Sequence, residues 1–125
     1  MSLKSAKNGI IISIVCILIL TVLELPAPIG IETRPQNDVS LFWLLLFLVI
    51  LISEFAAALL IFKKPKIGAN LAIIAGVLNI FQIIADQLHL MQLEIAPFVY
   101  TLLEYSVCFF ALVLIYFVRK ARNSI

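Results

Sequence analysis

The chain has 125 residues, of which 64% are hydrophobic and 13% are charged, and its formal net charge is +2. An average soluble domain has about 25% charged residues, so a water-soluble fold of this length could not hide so much apolar surface. The composition therefore predicts an integral membrane protein with a single domain, residues 1–125, and the lipid bilayer as its first partner. No basic face with interleaved aromatic residues is present in the sequence, which argues against nucleic acid as a partner.

Four apolar segments follow one another along the chain, at about 9–25, 41–62, 67–91 and 97–118. Segments of roughly 17 to 25 residues can cross a hydrocarbon core of about 30 Å as α-helices. Backbone groups in lipid must be paired within the segment itself, which favours helices. The sequence therefore predicts an all-α fold, an integral membrane four-helix bundle.

The first segment has two interpretations. It follows Lys4 and Lys7, and a basic start before an apolar run is also typical of a secretory signal peptide, here with cleavage near LPAPIG. The segment is long for such a signal, and Pro26 and Pro28 fit the end of a helix equally well. We count it as the first membrane helix and keep cleavage as the alternative.

The connections between segments differ in length. Residues 26–40 form an outer loop with three prolines, whereas the KKPK turn at 63–66 and the QLEIA link at 92–96 are short. Short links favour antiparallel packing of consecutive helices. The second, third and fourth helices are therefore predicted to be neighbours.

Positive charge is sorted to one side of the predicted bundle. Eight of the nine Lys and Arg residues fall there: Lys4, Lys7, Lys63, Lys64, Lys66, Arg119, Lys120 and Arg122. The other side has one basic and four acidic residues: Arg34, Glu24, Glu32, Asp38 and Glu94. The positive-inside rule then predicts a multi-pass protein of the cell membrane with its N and C termini in the cytoplasm.

The third segment combines small and polar residues on one face. At about 100° per residue, a sector of roughly 120° holds one set of side chains: Gly68, Ala72, Gly76, Asn79, Gln82 and Asp86. Small residues at every fourth position let another helix approach closely, so the first three are predicted packing residues. The polar half should face protein or a water-filled cavity, and His89 lies at the edge of the sector.

Carboxylates on the neighbouring helices lie at matching depths. Glu54 is in the second segment and Glu104 in the fourth. Counting the rise per residue places Glu54 level with Asn79, and Glu104 level with Asp86 nearer the outer surface. We therefore predict two clusters in the bundle interior: Glu54 with Asn79 and Gln82, and Glu104 with Asp86 and His89.

These polar residues are candidates for ligand binding or proton handling: Glu54, Asn79, Gln82, Asp86 and Glu104. The structural alternative is that the amides are hydrogen-bonding contacts between helices and that Glu54 is a neutral packing residue. Asp86, His89 and Glu104 could also bind a divalent metal ion, although His89 is equally explained as an interfacial residue. The cofactor itself stays unknown, but a single histidine excludes a bis-histidine haem within one chain.

One stretch resembles a known family. The run SEFAAALLIFKKPKIGANLAIIAGVLNI, residues 53–80, is similar to the hairpin of the second and third helices in DoxX-like four-helix membrane proteins. Glu54, the basic turn 63–66 and Gly68 match that pattern. The resemblance covers under a quarter of the chain, and it implies a small membrane protein linked to respiratory or quinone-associated complexes, often as an accessory component.

Three functions remain open on the sequence. The first is a non-catalytic accessory subunit of a larger membrane complex, such as a respiratory or redox enzyme, with other membrane subunits or copies of itself as partners. The second is a redox protein that binds a quinone, a small amphiphile or a metal ion through its intramembrane carboxylates. The third is a small proton-coupled transporter that works as an oligomer. Phosphate-binding loops, nucleophile elbows and paired-cysteine zinc spacings are absent from the sequence, so an enzyme is not favoured.

Overall fold

The computed structural model describes residues 2–23, 41–87 and 98–124. These residues form four helices and no strand: α1 is Leu3–Leu23, α2 is Leu41–Leu60, α3 is Pro65–Gln87 and α4 is Phe98–Ser124. The all-α prediction is confirmed. The predicted outer loop 26–40 and link 92–96 lie outside the described residues, as do His89 and the side chain of Asp86.

The first helix begins at Leu3, six residues before the start predicted from hydropathy. Ser2 explains the early start, because its Oγ accepts a hydrogen bond from the backbone N–H of Ser5 at 3.1 Å and its carbonyl accepts one from Ala6 at 3.0 Å. A serine in this position is an N-cap, which stabilises the first turn. Hydropathy alone marks only the apolar part of such a helix.

The fourth helix continues to Ser124, beyond the predicted end at Val118. Its last turns carry positive charge, which interacts favourably with the negative end of the helix dipole. The Ser124 hydroxyl also donates to the carbonyl of Lys120 at 3.2 Å. The other predicted bounds differ by four residues or fewer, with α2 ending at Leu60 and α3 covering Pro65–Gln87.

The helices pack in the ring order α1, α2, α3, α4. Three sides of the ring are closely packed, namely α2 with α3, α3 with α4, and α4 with α1, whereas the described residues of α1 and α2 make little contact with each other. The predicted neighbours are therefore confirmed. The loosely packed side between α1 and α2 is called the α1–α2 side below.

The bundle has an apolar interior and an apolar exterior. The largest fully buried side chains on the inside include Ile10, Ile14, Ile17, Ile61 and Leu114. On the outside, Leu59 is 73% exposed and Ile52 is 67% exposed. A soluble monomer rarely exposes contiguous apolar surface on this scale, whereas lipid chains solvate it readily.

Length and hydropathy support the same conclusion. Leu3–Leu23, Pro65–Ala85 and Thr101–Ser124 are each long and apolar enough to cross a membrane. In α2 the apolar stretch found among the described residues is shorter, Leu45–Leu60, although the whole helix of 20 residues measures about 30 Å. The protein is a small helical membrane protein.

The basic residues of the sequence meet at one end of the bundle. The Lys7 ammonium lies 5.6 Å from the ring centroid of Phe62, which joins the start of α1 to the turn that follows α2. An Arg122 guanidinium nitrogen donates to Asn70 Oδ1, which joins the end of α4 to the start of α3. We call this the basic end. It has the eight Lys and Arg residues named above and, among the described residues, no Asp or Glu.

Candidate functional site

The close approach of α2 and α3 at the basic end sets the register of the site. An ideal Cβ placed on Gly68 would lie 2.6 Å from the Cα of Ile61, so only glycine fits there without displacing the backbone. The turn is tightened by hydrogen bonds from Lys64 N to Leu60 O at 2.7 Å and from Gly68 N to Lys64 O at 2.9 Å. Pro65 starts α3, where its missing N–H costs no helical hydrogen bond.

This register brings Glu54 and Asn79 together across the interface. Glu54 lies seven residues from Ile61, and Asn79 lies eleven residues from Gly68, which puts their backbones about 10 Å and 16 Å from the turn. Side chains on a helix lean towards its N-terminus. Because the two helices are antiparallel, the Glu54 side chain leans away from the turn and the Asn79 side chain leans towards it. The two side chains therefore meet although their backbones lie at different distances from the turn.

The two side chains form a buried hydrogen bond. Asn79 Nδ2 donates to Glu54 Oε1 at 2.7 Å and also to the carbonyl of Ala75 at 3.0 Å. Glu54 is fully buried and Asn79 is 6% exposed. The second contact orients the amide, because its NH₂ must face the two oxygen acceptors. The predicted proximity of Glu54 to Asn79 is confirmed.

The other oxygen of the same carboxyl group is different. Glu54 Oε2 is buried, and no hydrogen-bond partner for it is found within 2–23, 41–87 and 98–124. Buried polar atoms in folded proteins are nearly always paired, so an unpaired one calls for a physical explanation. The group has one oxygen fixed by an amide and one oxygen available to hold a proton or to bond to a ligand.

The remaining polar candidates are more spread out. Gln82 is half-buried on α3, and no hydrogen bond of the described residues joins it to Glu54. Glu104 on α4 is 7% exposed. Since Gly76 lies against Ala111, Glu104 is about 10 Å further from the basic end than that contact. It therefore belongs to a level above the Glu54–Asn79 pair.

The predicted metal site is only partly covered by the structure. Glu104 is described, whereas His89 and the side chain of Asp86 lie outside the described residues. Among the side chains that are described, no group of three His, Cys, Asp or Glu residues is close enough to hold a metal ion. Binding of metal by Asp86, His89 and Glu104 stays a prediction.

The small residues of α3 serve two neighbours instead of one. Gly68 contacts α2, as described above, whereas an ideal Cβ on Gly76 would lie 3.0 Å from Ile115 Cγ1 of α4. Ala72, between them, is fully buried. A shift of eight residues turns the helix by about 80°, which explains why the strip passes from one partner helix to the next.

A packing site on α1 was not identified from the sequence. Gly9 lies directly against the ring of Phe117 on α4, and Ser13 is buried with its hydroxyl donating to the Gly9 carbonyl at 2.8 Å. The signal was present as two small residues four positions apart, a spacing typical of close helix packing in membranes. The small side chains of Gly9 and Ser13 explain why α1 packs on α4 more closely than on α2.

Comparison with known proteins adds no relative. No protein-family model, curated protein or solved structure matches this chain.

Proposed function

We propose that the protein handles protons inside the membrane, with Glu54 as the group that takes up and releases the proton. The observation that supports this is the unequal environment of its two carboxyl oxygens. Oε1 accepts a hydrogen bond from Asn79, while Oε2 is buried with no partner among the described residues. An ionisable group in this position within a membrane helix is a functional-site hypothesis by default.

The chemistry follows from which oxygen is occupied. The Asn79 amide can donate to Oε1 whether the group is a carboxylate or a neutral acid, so it holds the side chain in place in both states. Oε2 is then the position at which the proton binds. When the proton leaves, Glu54 becomes a negatively charged carboxylate in an apolar interior, which costs several kcal/mol of free energy. Release of the proton therefore requires a counter-charge or water to reach the carboxylate. A small proton-coupled transporter, working as an oligomer, is the function we infer.

Infrared spectroscopy of the protein in lipid bilayers tests the proposal. We expect a carbonyl band of a protonated carboxylic acid whose intensity follows the pH, and we expect Glu54→Gln to remove that band. Ser53→Ala is the matched control, since Ser53 is the buried neighbour on the same helix and its hydroxyl does not ionise over the pH range of the measurement. A band that is unchanged by Glu54→Gln contradicts the proposal.

Proteoliposome flux measures the consequence. With a pH-sensitive dye inside the vesicles and a proton gradient across them, Glu54→Gln should reduce proton flux to that of protein-free vesicles, whereas Ser53→Ala should not. If instead a small molecule copurifies with the wild-type protein and is lost only in Glu54→Gln, a ligand site for a quinone or small amphiphile replaces the proton site.

A second candidate is an accessory subunit of a larger membrane complex, in the cell membrane. The α1–α2 side favours it, because little contact between these helices leaves a seam that a partner helix can enter. The resemblance to DoxX-like proteins points the same way, towards respiratory or quinone-associated complexes. Mass determination after purification in a mild detergent tests it, since a chain that always runs alone contradicts this candidate.

A further inference from the structure

A groove lies along the outer face of α4 at the basic end. Its volume is about 350 Å³, and it is lined by Leu112, Ile115, Tyr116, Arg119, Lys120 and Asn123. All six residues follow the helical spacing of one face. The groove is separate from the Glu54–Asn79 pair, which lies between α2 and α3 in the bundle interior.

The lining of the groove changes from apolar to basic along the helix. Leu112, 57% exposed, is part of the floor on the side of the membrane interior. Arg119 and Lys120 lie about two turns further on, at the end of the bundle. The Lys120 ammonium lies 5.6 Å from the ring centroid of Tyr116, which positions the charge over the rim of the groove.

The charges around the groove select an anion. The basic end has no acidic residue among the described positions, so no described side chain there neutralises Arg119 or Lys120. Arg122, by contrast, is hydrogen-bonded to Asn70 on α3. A guanidinium and an ammonium that line the same groove can both bind a phosphate, the first through paired N–H groups and the second as a point charge.

The apolar floor narrows the class of anion. Beyond Leu112 the face of α4 continues into exposed apolar side chains such as Phe109, 59% exposed, which lie where lipid chains run. A free phosphate would leave this floor unused, whereas a phospholipid fills both parts. Basic pockets on membrane helices at the level of the headgroups are suited to anionic lipids. We propose that the groove binds one anionic phospholipid, with its phosphate at Arg119 and Lys120 and an acyl chain along Leu112.

Native mass spectrometry of the full chain in detergent, with added phosphatidylglycerol or phosphatidylcholine, tests this proposal. We expect the wild-type protein to retain one phosphatidylglycerol in preference to phosphatidylcholine. The variant R119Q/K120Q should bind phosphatidylglycerol about tenfold more weakly or worse. The matched control is K63Q/K64Q, which removes the same charge at the same end but outside the groove, and it should retain the lipid.

A third variant tests the acyl-chain contact separately from the headgroup contact. Leu112→Trp fills the floor without changing any charge, so it should weaken phosphatidylglycerol binding. Inorganic phosphate should compete poorly in all variants. Equal losses in R119Q/K120Q and K63Q/K64Q, no loss in either, or competition by inorganic phosphate at the concentration of the lipid would each overturn the proposal. The changed side chains are on the surface, so each variant should keep its helix content. Far-ultraviolet circular dichroism measures this.

Discussion

Replacing the two glycines of α3 by alanine, one at a time, separates backbone contact from side-chain contact in the bundle. At Gly68 an added Cβ would lie 2.6 Å from Ile61 Cα and 2.8 Å from Ile61 N, both of them backbone atoms. At Gly76 the nearest atom is Ile115 Cγ1 at 3.0 Å, which belongs to a side chain that can rotate. The same chemical change thus meets a rigid neighbour at one position and an adaptable neighbour at the other.

The expected magnitudes follow from these distances. Ordinary contact begins at 3.4 Å, so Gly68→Ala must move α2 and α3 apart by about 0.8 Å, whereas Gly76→Ala requires about 0.4 Å of one side chain. Overpacking costs about 1–3 kcal/mol, and both variants gain up to about 1 kcal/mol from the better helix propensity of alanine. The clash with backbone at Gly68 belongs to the upper part of the overpacking range, about 2–3 kcal/mol, so Gly68→Ala should lower the free energy of unfolding by about 1–2 kcal/mol after the propensity gain. The milder contact at Gly76 belongs to the lower part, so Gly76→Ala should leave the free energy of unfolding within about 1 kcal/mol of the wild type.

Equilibrium unfolding in mixed micelles, followed by circular dichroism as the denaturing detergent is increased, measures both values. Alanine improves helix propensity in both variants, by less at Gly68 in the first turn of α3 than at Gly76 in its interior. A larger loss in Gly68→Ala therefore combines its greater packing cost with this smaller gain. If Gly76→Ala loses as much free energy of unfolding as Gly68→Ala, or more, the close contact of the α2–α3 turn is not what fixes the register.

Two further predictions concern the interior pair and the orientation of the chain. Asn79→Leu should destabilise the protein by about 1–3 kcal/mol, because it leaves Glu54 buried without its donor. In a double-mutant cycle with Glu54→Leu, the coupling energy should be about 0.6–2 kcal/mol, and a value near zero would mean that the hydrogen bond is not formed in the membrane. For orientation, Lys64→Cys in a background with Cys16→Ser and Cys108→Ser should react with a membrane-impermeant maleimide only from the cytoplasmic side; reaction from outside the cell would reverse the orientation expected from the basic end.

The sequence predicted the parts of this structure that depend on solvent and on helical period. Hydropathy identified the four helices because lipid requires every spanning segment to pair its own backbone. The contact of Glu54 with Asn79 could be predicted because a fixed rise per residue gives each position an approximate depth, here matched to within about 6 Å, and only a few side chains near that depth are polar. These inferences need no knowledge of side-chain packing.

Other features depend on packing and could not be read in the same way. Hydropathy missed the start of α1 at Leu3, because the Ser2 cap is a polar signal outside the apolar run. It also could not show that Gly68 and Gly76 contact different helices, since this depends on the order of the helices around the bundle. Whether Oε2 of Glu54 has a hydrogen-bond partner among the described residues depends on distances of a few ångströms within one interface. Spacing along the chain does not resolve such distances.

The most direct test of this account is a distance across the α2–α3 interface in lipid bilayers. Solid-state NMR on protein labelled with ¹⁵N at the Asn79 amide and ¹³C at the Glu54 carboxyl measures the separation of these two atoms. With Nδ2 at 2.7 Å from Oε1, the ¹⁵N–¹³C distance should be below about 4 Å. A separation beyond about 7 Å, or a Glu54 carboxyl in contact with the lipid chains, would contradict the claim that the two residues face each other in the bundle interior.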